Sequence, residues 1–326
     1  MSRSSARTAP LILLVVNPRR RRGPDTARRA AAILRTGGFR TETVRTAPED
    51  GTDRSGVVWG ASLQRRLSRA DAEGEAVAAV VAVGGDGMVH TVVNVLRQRS
   101  DRGLEPVPFG LVPAGTGNVL ARHMGVPQND PERAAGRVLR GLDEGPRSMD
   151  LGRIELADGT RRWYATAACC GIDAAVAQRA NSWRWPRGES RYLAALPVEV
   201  LRYPSPFTSL EIEQPGGRTV LSARRLLMLS VANTSSIGGG LRIVPHAEAF
   251  DGVLEIFQVR AMPRTRVARL FPLLMRAAHT ELPEVSMDAA LSARIDATGP
   301  IYADGEPVGS GPAVISIEPA ALPVLL

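Results

Sequence analysis

Three glycines and one carboxylate follow a run of apolar residues in the first half of the chain. The run Val80–Val83 is mostly β-branched, as expected of a strand that is covered on both faces. Gly84-Gly85-Asp86-Gly87 comes next, and apolar residues then recur at helical spacing. A strand, a glycine-rich turn and a helix N-terminus present backbone N–H groups to a phosphate. An aspartate in this turn suits a bound cation or a ribose hydroxyl better than a phosphate.

Other turns could contribute to the same site. Residues 17–23 and 113–118 follow two further predicted strands of the first half, and both contain glycine. Because ligands of open α/β sheets bind at the carboxyl ends of the strands, we expect these turns to lie together. A fourth turn, Asp304-Gly305-Glu306, is distant in sequence. Each turn alone also has a structural explanation, as a strand stop, a capped loop or a hairpin.

The composition excludes several kinds of chemistry. The chain has 326 residues and a formal net charge of +8, and it contains no lysine, so every basic side chain is arginine. This excludes a Walker A lysine, a kinase-type strand lysine and Schiff-base catalysis. The positive charge either serves general solubility or attracts the protein to an anionic surface. Since no nucleic-acid motif is recognisable, we predict no nucleic-acid partner and favour an anionic membrane surface.

The cysteines and the apolar runs bear on the compartment. Cys169 and Cys170 are adjacent and are the only cysteines, so we expect them to be reduced and buried. The apolar run Leu11–Val16 is too short for a signal sequence, and no run approaches the ~20 apolar residues of a membrane-spanning helix. We therefore expect a cytoplasmic protein that associates peripherally with a membrane.

The pattern of elements changes near residue 148. Strands alternate with helices before this point, which predicts an α/β, doubly wound domain at 10–147. Short alternating strands dominate 148–317, which predicts a β-rich, antiparallel sandwich-like second domain. Helical segments interrupt it near 192–201 and 264–278. The tail at 318–326 is predicted to return to the first domain.

Taken together and in this order, the motifs resemble the catalytic family of diacylglycerol kinases, sphingosine kinases and bacterial lipid kinases. The resemblance extends from about residue 11 to residue 317. The matching motifs are Asn17-Pro18, Gly84-Gly85-Asp86-Gly87, Pro113-x-Gly115-Thr116-x-Asn118 with Ala121-Arg122, Asp150-Leu151-Gly152, Gly171-x-Asp173-Ala174, Asp251-Gly252-x-Leu254 and Asp304-Gly305-Glu306.

The resemblance implies an ATP- and Mg²⁺-dependent kinase that phosphorylates a hydroxyl of diacylglycerol or a related lipid. It implies that the domain at 10–147 binds the nucleotide and that the domain at 148–317 binds the lipid substrate. It implies Asp304 as the general base, which takes the proton from the lipid hydroxyl. It implies that Asp86, Glu306 and Asp150 hold Mg²⁺, mostly through waters. The residues implied to surround the nucleotide are Asn17, Thr46, Gly84, Gly85, Asp86, Gly87, Met88, Thr116 and Glu306.

A second, structural Mg²⁺ site is also implied by the resemblance. It would lie in the loop that contains Glu248, Asp251 and Val253, with part of the coordination from backbone carbonyl groups. Many members of the family are dimers, so a homodimer is also implied. The acceptor lipid and the preferred nucleotide leave no motif in the sequence.

Two positions depart from the family pattern. Met88 stands where the glycine turn usually ends in threonine, and Val119 stands where several bacterial diacylglycerol kinases have aspartate. These departures support one alternative, a nucleotide- or lipid-binding regulator without transfer activity. The enzymatic alternative is a protein similar to NAD kinase or phosphofructokinase, which share a glycine-rich acidic turn. The four histidines lack metal-ligand spacing and are assigned no role.

Two tryptophans lie among arginines just before the predicted helix near 192–201. Trp183-Arg184-Trp185-Pro186-Arg187 is suited to a membrane interface. The alternative is a loop that covers a helix packed in the core.

Overall fold

The chain is described here by a computed structural model. For residues 190–193 only the backbone is described. The described residues are 9–20, 22–46, 60–183, 185, 190–237, 241–267, 273, 276–296 and 298–326. Of the segments discussed above, Arg21, the loop at 48–57, Arg184, Pro186, Arg187 and part of 264–278 lie outside them.

The first half of the chain forms a parallel sheet flanked by helices. Its strands lie in the order β2-β1-β3-β4, and each neighbouring pair is parallel. The strands are β1 (Leu11–Val16), β2 (Arg40–Arg45), β3 (Val77–Gly84) and β4 (Phe109–Pro113). The helices are α1 (Gly23–Thr36), α2 (Ala61–Glu73), α3 (Asp86–Ser100), α4 (Val119–His123) and α5 (Pro131–Glu144).

Local sequence accounts for these elements. All six residues of β1 are buried, as expected of a central parallel strand with helices on both faces. Helix α1 has a proline in its first turn, together with Asp25, and Arg35 in its last turn, which matches the helix dipole. Helix α5 begins after Asp130, whose carboxylate accepts a hydrogen bond from the backbone N–H of Arg133 at 3.0 Å. Apolar side chains of the sheet and helices form one core cluster.

The second half of the chain is built from two antiparallel layers. Strand β9 is long and belongs to both, since residues 219–225 pair with β8 and residues 226–232 pair with β10 or β7. One layer runs β6-β5-β15-β12-β8-β9, and the other runs β11-β10-β9-β7-β13-β14. The strands are β5 (Arg147–Leu156), β6 (Arg161–Tyr164), β7 (Ala167–Cys169), β8 (Phe207–Glu213), β9 (Thr219–Ala232), β10 (Leu254–Arg260), β11 (Val285–Ala290), β12 (Ser292–Asp296), β13 (Pro300–Ala303), β14 (Glu306–Ser310) and β15 (Ala313–Val324).

This arrangement confirms the predicted fold class, and several elements add to the prediction. Strands β11 and β14 add to those that the alternating pattern indicates, and residues 161–169 form two strands, β6 and β7, separated by a bend. Helix α6 (Ile172–Ser182) was not predicted, whereas the predicted helix near 192–201 is α7 (Ser190–Arg202). Side chains between the two layers form a second core cluster.

The last strand connects the two halves. Strand β15 runs antiparallel to β5, and its Val324 lies beside Phe109 of β4 in parallel register. The backbone N–H of Leu325 donates to the carbonyl group of Phe109 at 2.8 Å. The boundary between the domains stays a prediction. Among the described residues, no helix combines the length and apolar character needed to span a membrane.

Candidate functional site

Asp86 lies in the first turn of α3, at the end of the central strand β3. The helix begins two residues earlier than its apolar spacing indicated, with Gly85 as the N-cap residue. One carboxylate oxygen of Asp86 accepts a hydrogen bond from the backbone N–H of Val119 at 2.7 Å. Asp86 therefore connects the N-terminal turns of α3 and α4.

The two glycine-bearing turns touch each other through their backbones. A Cβ atom on Gly115 would lie 2.5 Å from the Cα atom of Gly85, so neither position has room for a side chain. Asn118 adopts a left-handed conformation, and its side-chain oxygen accepts a hydrogen bond from the Gly115 N–H at 3.1 Å. The contact creates a surface made of backbone at the carboxyl end of β3 and β4, as a phosphate site requires.

Asp304 occupies the hairpin turn between β13 and β14. Asp304 and Gly305 both have positive φ, at 51° and 82°, as a type I′ turn requires. The turn is therefore a hairpin, which is the structural explanation that its sequence also permits. Its aspartate nevertheless points into the protein, because the Asp304 side chain is only 1% exposed.

Four donors surround the carboxylate of Asp304. Its Oδ1 accepts from the N–H of Thr166 at 2.8 Å and from the Thr166 hydroxyl at 2.6 Å. Its Oδ2 accepts from the N–H of Ala165 at 3.1 Å and lies 3.1 Å from Nδ1 of His90. His90 belongs to α3, one turn after Asp86. The turn at residue 304 therefore lies beside the helix that follows the glycine-rich turn.

A second contact brings the same two regions together. A Cβ atom on Gly87 would lie 2.5 Å from Oε1 of Glu306. Gly87 and Glu306 are far apart in sequence but in van der Waals contact in space. The predicted general base, the glycine turn and two of the predicted acidic residues therefore converge on one cleft.

The electrostatics of the cleft reflect this convergence. Burial raises the pKa of Asp86 to about 6, the hydrogen bond from Val119 opposes the shift, and the charge of Asp304 adds to it. Burial also raises the pKa of Tyr164, and the charge of Asp304 adds to that shift. An acidic group with a raised pKa in a cleft is typical of a functional site.

The other predicted nucleotide residues lie at the same edge of the sheet. The Asn17 side chain accepts a hydrogen bond from the Arg19 N–H at 2.9 Å, which shapes the turn after β1. Thr46 is fully buried at the end of β2, and its backbone N–H donates to the carbonyl group of Val16 at 3.0 Å. Thr116 is exposed in the turn before α4. Their roles toward a nucleotide stay predictions.

Both halves of the chain match known protein families. The diacylglycerol kinase catalytic domain family matches residues 11–154, and the YegS C-terminal NAD kinase beta sandwich-like domain matches residues 166–326. A diacylglycerol kinase of Mycobacterium tuberculosis is 38% identical over 277 residues, which cover 84% of this chain and 85% of that protein. The chain belongs to the diacylglycerol kinase family.

Other relatives agree with membership in the diacylglycerol kinase family. A Pseudomonas aeruginosa protein named "Probable lipid kinase YegS-like" is 28% identical over 326 residues, which cover 97% of this chain and 94% of that protein. A crystal structure of a diacylglycerol kinase from Bacillus anthracis strain Sterne superposes with a TM-score of 0.62 at 16% identity. The superposition covers 97% of this chain and 96% of that chain, and it shows the shared fold.

The two departures from the family pattern have structural explanations. Met88 lies in the first turn of α3 and is largely buried, with its apolar side chain in the core cluster of the first half. Val119 is buried as well, at the start of α4, and its backbone N–H donates to Asp86. With Met88 in place, α3 is helical from Asp86 onward.

Asp150 lies beside the loop at 248–253, but backbone N–H groups already bind both oxygens of its carboxylate. The two oxygens of Asp150 accept from the N–H groups of Gly252 and Ala320, each at 2.7 Å. Asp251 accepts from the N–H of Val253 at 3.0 Å, and Glu248 is exposed. Within the described residues, no group of three acidic, histidine or cysteine side chains could hold a metal ion.

His90 is the site residue that sequence reasoning missed. The sequence assigns it no role, because it has no metal-ligand spacing to the other histidines. Its partner, Asp304, is 214 residues away in sequence. The available signal was its position one helical turn after Asp86, on the same face of α3.

Proposed function

We propose that the chain is an ATP- and Mg²⁺-dependent lipid kinase, which transfers the γ-phosphoryl group of ATP to a hydroxyl of diacylglycerol or a related lipid. The observation that carries this proposal is the convergence of the α3 N-terminus and the β13–β14 turn, through His90–Asp304 and Gly87–Glu306. Phosphoryl transfer requires a phosphate cradle and an acceptor-activating group on opposite sides of one cleft, and this arrangement supplies both.

The nucleotide phosphates fit the backbone surface formed by the two glycine turns. The close approach of Gly85 to Gly115 keeps side chains out of this surface, so backbone N–H groups could face a phosphate. Since the chain contains no lysine, backbone N–H groups, the helix N-terminus and a cation must compensate the phosphate charge. A Mg²⁺ ion would neutralise the charge that develops on the transferred phosphoryl group.

Asp86 and Glu306 are the carboxylates suited to hold that cation. Burial raises the pKa of Asp86 to about 6 against the hydrogen bond from the Val119 N–H, so a bound cation would favour its ionised form. Glu306 lies beside Gly87, next to the same helix N-terminus. Because Asp150 uses both oxygens for backbone N–H groups, it would act by supporting the loop and the return of β15 rather than by direct contact with the ion.

Asp304 would accept the proton of the lipid hydroxyl. A carboxylate offers about four lone-pair positions, and all four are used in this structure. The Thr166 hydroxyl can rotate about its side-chain bond, whereas the two backbone N–H donors are fixed. The lipid hydroxyl would therefore take the place of the Thr166 hydroxyl at Oδ1, within reach of Asp304 and of the γ-phosphoryl group.

The structural cation site at residues 248–253 remains part of the proposal. Backbone carbonyl groups of this loop and the exposed carboxylate of Asp251 would supply the oxygen ligands that Mg²⁺ prefers. Glu248 would contribute from the same loop, and Val253 through its carbonyl group. Asp150 binds the Gly252 N–H and would keep the loop in place.

The partner that supplies the lipid would be an anionic membrane surface. Phe207 is 60% exposed, and it pairs across the β8–β9 ladder with Arg225, so both side chains lie on the same face. Arg225, Arg260 and Arg266 line a groove together with Glu284, which leaves the groove positively charged. An exposed aromatic residue beside arginines is typical of a membrane-facing surface. We call Phe207, Arg225, Arg260 and Arg266 the basic patch.

The tryptophan segment fits this proposal in part. Trp185 is 82% exposed, whereas Trp183 packs partly against the core cluster beneath α6 and α7. Trp185 would therefore contribute to membrane contact and Trp183 to packing.

The test is transfer from radiolabelled ATP to a panel of lipid acceptors by the purified full chain. Label that enters the organic phase only with Mg²⁺ and with a hydroxyl-bearing lipid supports the kinase. ATP binding without label on any acceptor would favour the regulator instead. Transfer to NAD in place of a lipid would favour the NAD kinase alternative.

A further inference from the structure

One face of helix α3 carries a continuous line of polar residues. Asp86, His90, Asn94 and Arg97 are spaced by three or four residues, so they share one face of the helix. Their partners come from distant segments, which include β6, the β13–β14 turn and β15. The line therefore connects the phosphate end of α3 to the second half of the molecule.

The two members of this line that follow His90, Asn94 and Arg97, are firmly held. The side-chain oxygen of Asn94 accepts from the N–H of Trp163 at 3.0 Å, and its Nδ2 donates to the Trp163 carbonyl at 2.8 Å. Arg97 donates to Glu318 at 3.0 Å and to the carbonyl of Ala321 at 2.9 Å. These contacts fix α3 against β6 and β15, so the position of His90 is set by the whole interface.

The His90 ring is enclosed between a carboxylate and an amide nitrogen. It is 5% exposed. Its Nδ1 faces Oδ2 of Asp304 at 3.1 Å, and its Nε2 lies 3.4 Å from Nδ2 of Asn94, which donates to the carbonyl groups of His90 at 2.9 Å and Trp163 at 2.8 Å. An ionised carboxylate only accepts hydrogen bonds, and the Asn94 nitrogen offers no acceptor for a proton on Nε2. The neighbours therefore favour the tautomer in which Nδ1 carries the proton and Nε2 does not.

We infer that His90 is a positioning residue for the transfer reaction, which holds the Asp304 carboxylate at a fixed distance from the phosphate end of α3. This inference rests on the proposed function and adds a residue to it. His90 has no role as a proton acceptor in the reaction, because its Nδ1 proton points at Asp304 and its ring is buried. Its contribution is to orient Oδ2, so that Oδ1 faces the lipid hydroxyl.

The kinetic test compares two substitutions of His90. His90→Asn keeps an N–H donor near the position of Nδ1, whereas His90→Leu has similar bulk and no donor. We expect His90→Leu to lower kcat for lipid transfer at least tenfold, with the KM for ATP within twofold of wild type. We expect His90→Asn to stay within threefold of wild type in kcat.

The control is a buried histidine elsewhere in the chain. His279 is fully buried, bonds to the carbonyl of Ile243 at 2.8 Å and packs edge-on against the ring of Phe257. His279→Asn should lower the melting temperature without a selective loss of kcat. Equal losses of kcat in His90→Leu and His90→Asn, or a wild-type kcat in His90→Leu, would overturn the inference.

A spectroscopic readout separates this inference from the proposed function. In protein with ¹⁵N-labelled histidine, the nitrogen shifts of His90 should report a protonated Nδ1 and an unprotonated Nε2 at neutral pH. Asp304→Asn should change the His90 shifts and leave those of His279 unchanged. An Nε2-protonated tautomer in wild type would overturn the inference even if transfer is observed. If the predicted tautomer is observed but no lipid is phosphorylated, the proposed kinase function fails and the inference about the His90 tautomer stands.

Discussion

The two carboxylates of the cleft are held in contrasting ways. Asp86, at the first turn of α3, accepts from the backbone N–H of Val119, and burial raises its pKa to about 6. Asp304, in the β13–β14 turn, is surrounded by four donors from three residues. The second environment fixes a carboxylate in one orientation, whereas in the first, burial disfavours the charged form despite the backbone hydrogen bond.

This difference suggests different tasks for similar groups. A carboxylate that is fixed by several donors is suited to orient and deprotonate an acceptor hydroxyl. A carboxylate whose charged form is disfavoured by burial gains most from a bound cation. Pairs of acids whose environments differ in this way commonly divide the acid, base and metal-binding roles of an active site.

Loss of the Asp304 carboxylate should have the largest effect. We expect Asp304→Asn to lower kcat for lipid transfer by about a thousandfold or more, because general-base catalysis contributes on the order of 10² to 10⁴ and the orientation at Oδ1 is lost as well. ATP affinity should stay within about threefold, since Asp304 is not among the phosphate-binding turns. Initial rates and ATP titration by calorimetry measure the two quantities.

Asp158 provides the matched control for that substitution. It also precedes a glycine with positive φ in a hairpin turn, but it is exposed and accepts from the Thr160 N–H at 2.8 Å. Asp158→Asn should leave transfer unchanged. Turnover of Asp304→Asn at a rate close to that of Asp158→Asn would remove Asp304 from the base role.

Replacement of Asp86 should separate stability from activity. The pKa of Asp86 rises from 3.8 to about 6 on folding, so the folded state loses stability as the pH rises through this interval. At pH 7 the full cost applies, and Asp86→Asn should raise the free energy of unfolding by about 1 to 3 kcal/mol. The same variant should lose transfer about a hundredfold or more, because a cation ligand is removed.

Denaturant unfolding at two pH values tests the stability change. The increase in the free energy of unfolding that Asp86→Asn causes should be present at pH 7. It should largely disappear near pH 4, where the wild-type carboxyl is protonated in the folded state. A variant that is less stable than wild type at pH 7, or one that keeps its turnover, would contradict this assignment of Asp86.

A methyl group at Gly87 should disturb the contact between the two regions. The added Cβ would lie 2.5 Å from Oε1 of Glu306, so either the β13–β14 turn or α3 must move. We expect Gly87→Ala to lower kcat/KM for ATP about tenfold or more. Gly136→Ala in α5 meets no atom within 4 Å and should stabilise the protein by about 0.5 to 1 kcal/mol without loss of activity. Equal activity of the two variants would contradict the close contact.

The smallest effect concerns the basic patch. Charge reversal in Arg225→Glu should weaken binding to vesicles of mixed neutral and anionic phospholipid several-fold and increase the sensitivity to salt. Phe207→Ala should weaken the same binding, whereas binding to purely neutral vesicles should be weak for all variants. Arg224→Glu, one position before Arg225 in β9, is the control with the same change in charge. If the two arginine variants bind alike, general charge rather than the patch attracts the membrane.

The sequence predicted those parts of the fold that depend on local patterns. The apolar run before Gly84 and the spacing after it indicated β3 and α3, and alternation indicated most strands of the second half. Helix α6 is rich in alanine, and five of the six residues of β11 are half-buried, so neither has a clear periodic pattern. Motif order indicated that Asp86 and Asp304 share a cleft. The His90–Asp304 contact joins residues 214 positions apart, which no local pattern reports.

The pKa of Asp86, measured in the wild type and in Asp304→Asn, tests the central claim most directly. Carbon-13 NMR of the carboxyl groups reports this pKa whether or not the protein turns over a substrate. Because the charge of Asp304 raises the pKa of Asp86, we predict a clear decrease in the variant. An unchanged pKa of Asp86 would show that the two carboxylates do not share a cleft, and the proposed site would have to be abandoned.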